Sequence, residues 1–235
     1  MTDNFDLIKN FIKKNYTLEK GDFFFIQVLK RRKENPELKK DVSLIDTFFI
    51  NDSFDLEDYR QEIIKLCHDN NARCYIRLDK RNSDKICLQA LKITTDDMIN
   101  SIHDKYTDPF NVYCILNNIK KDLLSETEEK FLILRMVSDI LLSGDWYNPV
   151  VKYQFLSAAG QFASDPIRKW IIDLDDKTML DEVRGFLETL TNVLEVIPTK
   201  NGYHIITTGF NPNLFTKKYS NIEIKRNSPT ILYSI

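Results

Sequence analysis

The sequence predicts an α+β protein, with helices packed on mainly antiparallel sheets. Three observations carry that expectation. Short apolar runs at residues 23–29, 169–174 and 193–197 are interleaved with amphipathic helical segments. The residues from Arg73 to Asp79 alternate charged or aromatic with apolar, which is the period of a strand with two unlike faces. Asn201-Gly202 separates two strand-like runs, a strong hairpin signal.

Each element follows from local pattern. Leu7, Ile8, Phe11 and Ile12 recur at helical spacing until Gly21-Asp22 breaks the period. Residues 23–29 then read as a strand, followed by the basic cluster Lys30, Arg31, Arg32 and Lys33. Residues 44–50 are a second strand, and 55–69 a helix with Leu56, Tyr59, Ile63, Ile64 and Cys67 on one side. After the alternating strand, Asn82-Ser83-Asp84 is a turn, and 85–93 returns as a strand or starts a helix. Ser125-x-x-Glu128 fits a capping box before a helix closed by Gly144, and 150–163 is a further helix after a turn at 145–149. Residues 179–190 form an amphipathic helix, 193–197 and 203–208 a hairpin, and 222–225 and 230–233 two more strands. The expected organisation is an N-terminal α/β lobe with a basic strand (1–104), a helical connector (105–165) and an α+β lobe (166–235). The outer two are either separate or joined in one domain.

Composition narrows the chemistry. The chain has 235 residues and a formal net charge of −2, so it lacks the excess charge of a basic nucleic-acid tail. No apolar run reaches membrane-span length, and no signal-peptide pattern is present, which predicts a cytoplasmic protein with no membrane partner. Cys67, Cys74, Cys87 and Cys114 contain no C-x-x-C pair, against a zinc ribbon. His68, His103 and His204 contain no i, i+4 pair, against a HExxH metal site.

Four features could carry chemistry. In Trp170-Ile171-Ile172-Asp173-Leu174-Asp175, both aspartates project from one face at the end of an apolar strand. Two adjacent carboxylates repel unless a cation lies between them, and hard oxygen ligands suit Mg²⁺ or Mn²⁺. The same residues read equally as an acidic turn in which Asp175 or Asp176 caps the next helix. In the turn PTKNGYH, Lys200, Asn201 and Gly202 can cradle phosphate with exposed amides, and His204 follows on the strand as a donor or as a satisfied structural histidine. Glu223, between Ile222 and Ile224, is either a third carboxylate on the face of the aspartates or a solvated edge residue. Residues 73–92 hold six basic residues against two acidic. Arg73 and Arg77, on one face of a strand, can bind phosphates of substrate or template, or stand in solvent.

The order IIDLD, helix, PTKNGYH, then IE resembles the archaeo-eukaryotic primase superfamily, which includes the primase-polymerases. The resemblance covers residues 168–235 and implies an RRM-like catalytic lobe there. It implies that Asp173, Asp175 and Glu223 bind metal as the catalytic carboxylates, and that His204 and Lys200 contact the phosphates of a nucleoside triphosphate. It also implies DNA or RNA as second substrate, with other replication proteins as possible partners. Glu223 stands where the family usually has aspartate. The whole chain is also similar to uncharacterised proteins of gut Bacteroidetes and their phages, for which the compartment would be the host cytoplasm. The function this implies is a metal-dependent nucleotidyltransferase of primase or polymerase type. The alternatives are a metal-dependent nuclease, in which the same carboxylates activate water, or an inactive nucleic-acid-binding protein that stacks bases on Tyr75 and Tyr203. A haloacid-dehalogenase reading fails at Lys177, where that family needs Thr or Val.

Overall fold

The structure is a computed structural model of the chain, and it describes residues 1–51, 55–83, 156–162, 165 and 167–235, with positions 85, 86, 89, 119, 120, 123–125, 128 and 132. Two compact units emerge, one made of residues 1–83 and 163–235, the other of residues 84–162. Mixed helices and antiparallel strands make the chain α+β.

In the first unit, β1 (Thr2–Asp3) leads into α1 (Phe5–Asn15). β2 (Asp22–Arg31) and β3 (Val42–Ile50) follow, then a 3₁₀ turn (Leu56–Tyr59) continuing into α2 (Arg60–Asn70), β4 (Arg73–Ile76) and β5 (Arg81–Asn82). After the excursion through the second unit come β6 (Lys169–Leu174), α3 (Leu180–Glu188), β7 (Val193–Pro198) and β8 (Tyr203–Thr208). The last elements are α4 (Pro212–Lys218), β9 (Glu223–Arg226) and β10 (Thr230–Ser234).

The strands form two sheets. The first has the order β1-β10-β4-β2-β3, with β5 paired to β2. Its central strands are apolar on one face, and Phe24, Ile26, Val28, Cys74 and Ile76 pack with Phe5, Ile8 and Phe11 of α1 and Ile63 and Cys67 of α2. The second sheet has the order β7-β8-β6-β9, all antiparallel. With α3 after β6 and α4 after β8, this is the βαββαβ split arrangement. Ile172, Leu174 and Ile205 bury against Val183 and Leu187 of α3 and Phe215 of α4, so both helices cover one face. The opposite face carries Ile171, Ile197 and Ile206, which join the core of the first sheet.

One expectation changes. Residues 230–233 do read as a strand, but β10 leaves the C-terminal sheet and pairs between β1 and β4 of the first. All five of its residues are buried. Asn4 fastens the junction, donating its side-chain amide to the carbonyls of Pro198 and Ile231. The alternating strand also stops short. β4 ends at Ile76, and beyond it Asp79 and Arg81 turn into a buried polar network. There the Lys169 amide donates to Asp79 and the Lys169 ammonium to Asp165 at 2.5 Å. The Tyr16 hydroxyl lies 2.8 Å from Asp165 Oδ2 and 2.7 Å from the Leu78 carbonyl and shares its one proton between these two acceptors. A backbone bond from Asp165 to Lys80 closes the stems where the chain leaves and re-enters the unit.

Of the second unit, the Ser125–Glu128 capping box is present and residues 156–161 are helical. Cys87, His103, Cys114, Gly144 and most of the expected connector and of the 85–93 return lie outside the described residues. Among the described residues no helix is long and apolar enough to cross a membrane.

Candidate functional site

The helix-free faces of the two sheets together line a cleft of about 490 Å³. Pairing in the second sheet builds one wall. Asp173 on β6 is directly opposite His204 on β8 and Glu223 on β9, so the three side chains share one face in one row. Asp173, Asp175, Lys200, Asn201 and His204 line the cleft. Asp176 caps the turn before α3, accepting from the Thr178 amide at 2.9 Å, which leaves Asp175 exposed at the cleft.

The turn sits where it does because of Gly202. A Cβ there would lie 1.9 Å from the Leu174 carbonyl oxygen, so only glycine lets the turn close on the end of β6. The amide of Gly202 is not offered to a ligand, because it donates to the Thr199 hydroxyl at 3.0 Å. The expectation of a free amide at Gly202 is therefore corrected: its role is close packing. Lys200 and Asn201 are exposed at the tip.

His204 is held from both sides. Its Nε2 faces Asp173 Oδ1 at 3.4 Å and its Nδ1 faces the Thr230 hydroxyl of β10 at 2.9 Å. Hydroxyl, imidazole and carboxylate in a row have the connectivity of a nucleophilic triad. Thr230 is fully buried and does not border the cleft, so it orients the ring and has no access to a substrate.

Lys225 is the feature the sequence reading missed. Two residues past Glu223 on β9, it projects from the same face, and that spacing was the available signal. Its ammonium bonds Asp173 Oδ2 and lies 3.5 Å from Glu223 Oε2. The bond from His204, with another from Lys225, holds the Asp173 carboxyl at about 2 against the upward push of burial. Burial pushes Lys225 down, but Asp173 and Glu223 outweigh it and lift the ammonium above the usual lysine value.

The other wall is the first sheet, from which Arg31, Arg73, Tyr75, Ile231 and Ser234 line the cleft, with Lys33 in the turn after β2. Arg73 pairs with Glu34 at 2.6 Å, and Arg31 donates to the Tyr75 hydroxyl at 3.2 Å. Arg77, one residue past the end of β4, does not border the cleft, although alternation places it with Arg73. Its guanidinium donates to the Asn227 carbonyl, and burial lowers it below the usual arginine value. Periodicity identified its face, while the bend after Ile76 and the nearby β9–β10 connection decided its partner. Tyr203 pairs with Leu174 and so points to the helix side, not to the cleft.

Among the described residues no group of three or more His, Cys, Asp or Glu side chains lies close enough together to hold a metal ion. Both oxygens of Asp173 already face donors, and Glu223 is 68% exposed at the edge. The carboxylates thus do not fit a ready-made Mg²⁺ or Mn²⁺ site. What the arrangement can do as it stands is bind anions, because lysine and arginine side chains outnumber the carboxylates along the cleft. Compared with known proteins, the chain matches no family model, and no curated protein or solved structure shows significant similarity to it.

Proposed function

We propose that the cleft binds the phosphate groups of a nucleotide or of a nucleic-acid strand. The observation that supports this best is the convergence on a single cleft of Lys225 on β9 and Lys200 in the β7–β8 turn with Arg31 on β2, Lys33 in the turn after it and Arg73 on β4. Cations on facing walls of a concave site raise the local anion concentration and suit a ligand with several phosphates. The helix-free face that an RRM would use for base stacking is partly occupied by the first sheet, through Ile171, Ile197 and Ile206. Recognition by phosphate therefore accounts for the site better than recognition by stacked bases.

The test is calorimetric titration with inorganic tripolyphosphate, a nucleoside triphosphate and a short single-stranded oligonucleotide. Wild type should bind at least one of them with strong salt dependence, and Lys200→Ala/Arg73→Ala should weaken binding at least about tenfold. Absence of binding by wild type, or unchanged binding by the double variant, would overturn the reading.

Nucleotidyl transfer through Mg²⁺ or Mn²⁺, as the primase resemblance implies, is a second reading. It is favoured by the presence of Asp173, Asp175 and His204 in the same cleft. It requires Lys225 to leave Asp173. Nucleotide incorporation on a primed template with Mn²⁺, absent in Asp173→Ala/Asp175→Ala, would establish it. Template degradation in the same reaction would indicate nuclease chemistry instead.

A further inference from the structure

We infer, resting on the phosphate-binding reading of the cleft, that Lys225 takes the position a divalent cation would need between Asp173 and Glu223, so that phosphate is held without metal. Asp173 and Glu223 are direct cross-strand neighbours, an arrangement that repels unless a cation lies between them. That cation is already part of the chain. Lys225 comes two residues after Glu223 on the same face, and its ammonium contacts one oxygen of each carboxylate.

The second oxygen of Asp173 faces His204 Nε2. The carboxylate is therefore surrounded by hydrogen-bond donors, whereas a metal would need its lone pairs. A divalent ion entering here would also meet the ammonium at close range. Among the described residues no group of three His, Cys, Asp or Glu side chains lies close enough to complete a ligand set around Asp173.

The ammonium keeps a use for a ligand. It has three protons, and two are directed to carboxylates. Lys225 and Lys200 both border the cleft, so the third proton and the second lysine face the space a phosphate oxygen would enter. The site is then an anion site with an internal counter-ion. It takes a phosphate free of metal, where a polymerase site takes the metal complex.

Two measurements decide the matter. Tripolyphosphate is titrated into wild type in the presence of chelator and again with excess Mg²⁺. Free Mn²⁺ is followed by electron paramagnetic resonance during titration of wild type, Asp173→Asn, Lys225→Met and Lys225→Met/Asp173→Asn. Tripolyphosphate should bind in chelator at least as tightly as in Mg²⁺. Wild type should leave Mn²⁺ free. Lys225→Met should acquire a saturable Mn²⁺ site at least about tenfold tighter than any in wild type, and the double variant should lose it. If Lys225→Met does not fold, Lys225→Gln replaces it.

The inference is overturned if wild type binds Mn²⁺ at a site that Asp173→Asn abolishes, if the folded Lys225 variant gains no site, or if tripolyphosphate binds only with metal. Failure of tripolyphosphate and nucleotide to bind under any condition overturns the phosphate-binding reading instead, and the Mn²⁺ titrations still decide what Lys225 replaces.

Discussion

Replacing Gly202 by alanine should damage both the fold and the cleft. The added Cβ would lie 1.9 Å from the Leu174 carbonyl oxygen and 2.8 Å from the Asp175 Cα. Non-bonded heavy atoms normally keep roughly 3.5 Å apart, so the turn and the end of β6 must part by more than about 1 Å. Both contacting groups are backbone, so no side chain can swing aside. Leu174 pairs with Tyr203, the residue next to Gly202, so the separation opens the last rung between β6 and β8. Overpacking of this kind costs about 1–3 kcal/mol, and a lost backbone hydrogen bond about 1 more. The expected loss is therefore about 2–4 kcal/mol, or roughly 5–15 °C in Tm for a chain of this size. The turn carries Lys200 and Asn201 away from Asp175 as it moves, so tripolyphosphate affinity should fall as well. Thermal unfolding and calorimetric titration measure both. Gly185→Ala is the control, since a Cβ there meets nothing within 4 Å and α3 should gain up to about 1 kcal/mol. A Gly202→Ala protein with unchanged Tm and unchanged affinity would refute the reasoning.

Three further outcomes are expected. Lys169→Met removes the cation from Asp165, whose side chain is only 6% exposed, and should cost about 3–5 kcal/mol in urea unfolding, because a buried carboxylate keeps the Tyr16 hydroxyl and the Ile167 amide but loses its counter-ion. Burial pushes Asp165 up, but bonds from Lys169 and Tyr16 outweigh it and hold the carboxyl below its ordinary value. Its contribution to stability is thus complete above the ordinary carboxylate range and disappears as the pH falls through the lowered value; Asp165→Asn should flatten the acid limb of the stability profile. Thr230→Val keeps the volume but leaves His204 Nδ1 without its hydroxyl, which should cost about 1–3 kcal/mol and weaken phosphate binding without adding or removing charge in the cleft.

Local pattern made much of the second sheet legible. β6, α3, the β7–β8 hairpin and β9 each announce themselves within a dozen residues, through apolar period, an Asn-Gly turn and i+2 alternation. The row Asp173, His204 and Glu223 follows from those strands once they pair, and the structure does bring the three together. Partner choice between distant segments was not legible. Nothing local distinguishes a strand that stays with β9 from one that crosses to β4, and β10 does the latter. Arg77 shows the same limit, since its strand face was readable and its carbonyl partner was not. Lys225 was overlooked for another reason. In Glu223-Ile224-Lys225 the lysine has the same orientation as the glutamate, but a search for metal ligands passes over a cation.

The placement of β10 bears on how the molecule is assembled. Ser234 pairs with Arg73 and with Thr2, so the middle of the first sheet is completed by a segment very distant along the chain. Pairings of such long range are slow to form, and until this one forms the β4 edge stays open to wrong partners. The same segment supplies Thr230 beneath His204 and Ile231 and Ser234 in the cleft wall. A nascent or misfolded chain could own a finished βαββαβ layer, with aspartates and histidine in register, and still have no cleft. Ligand retention would then report that β10 had taken its place between β1 and β4.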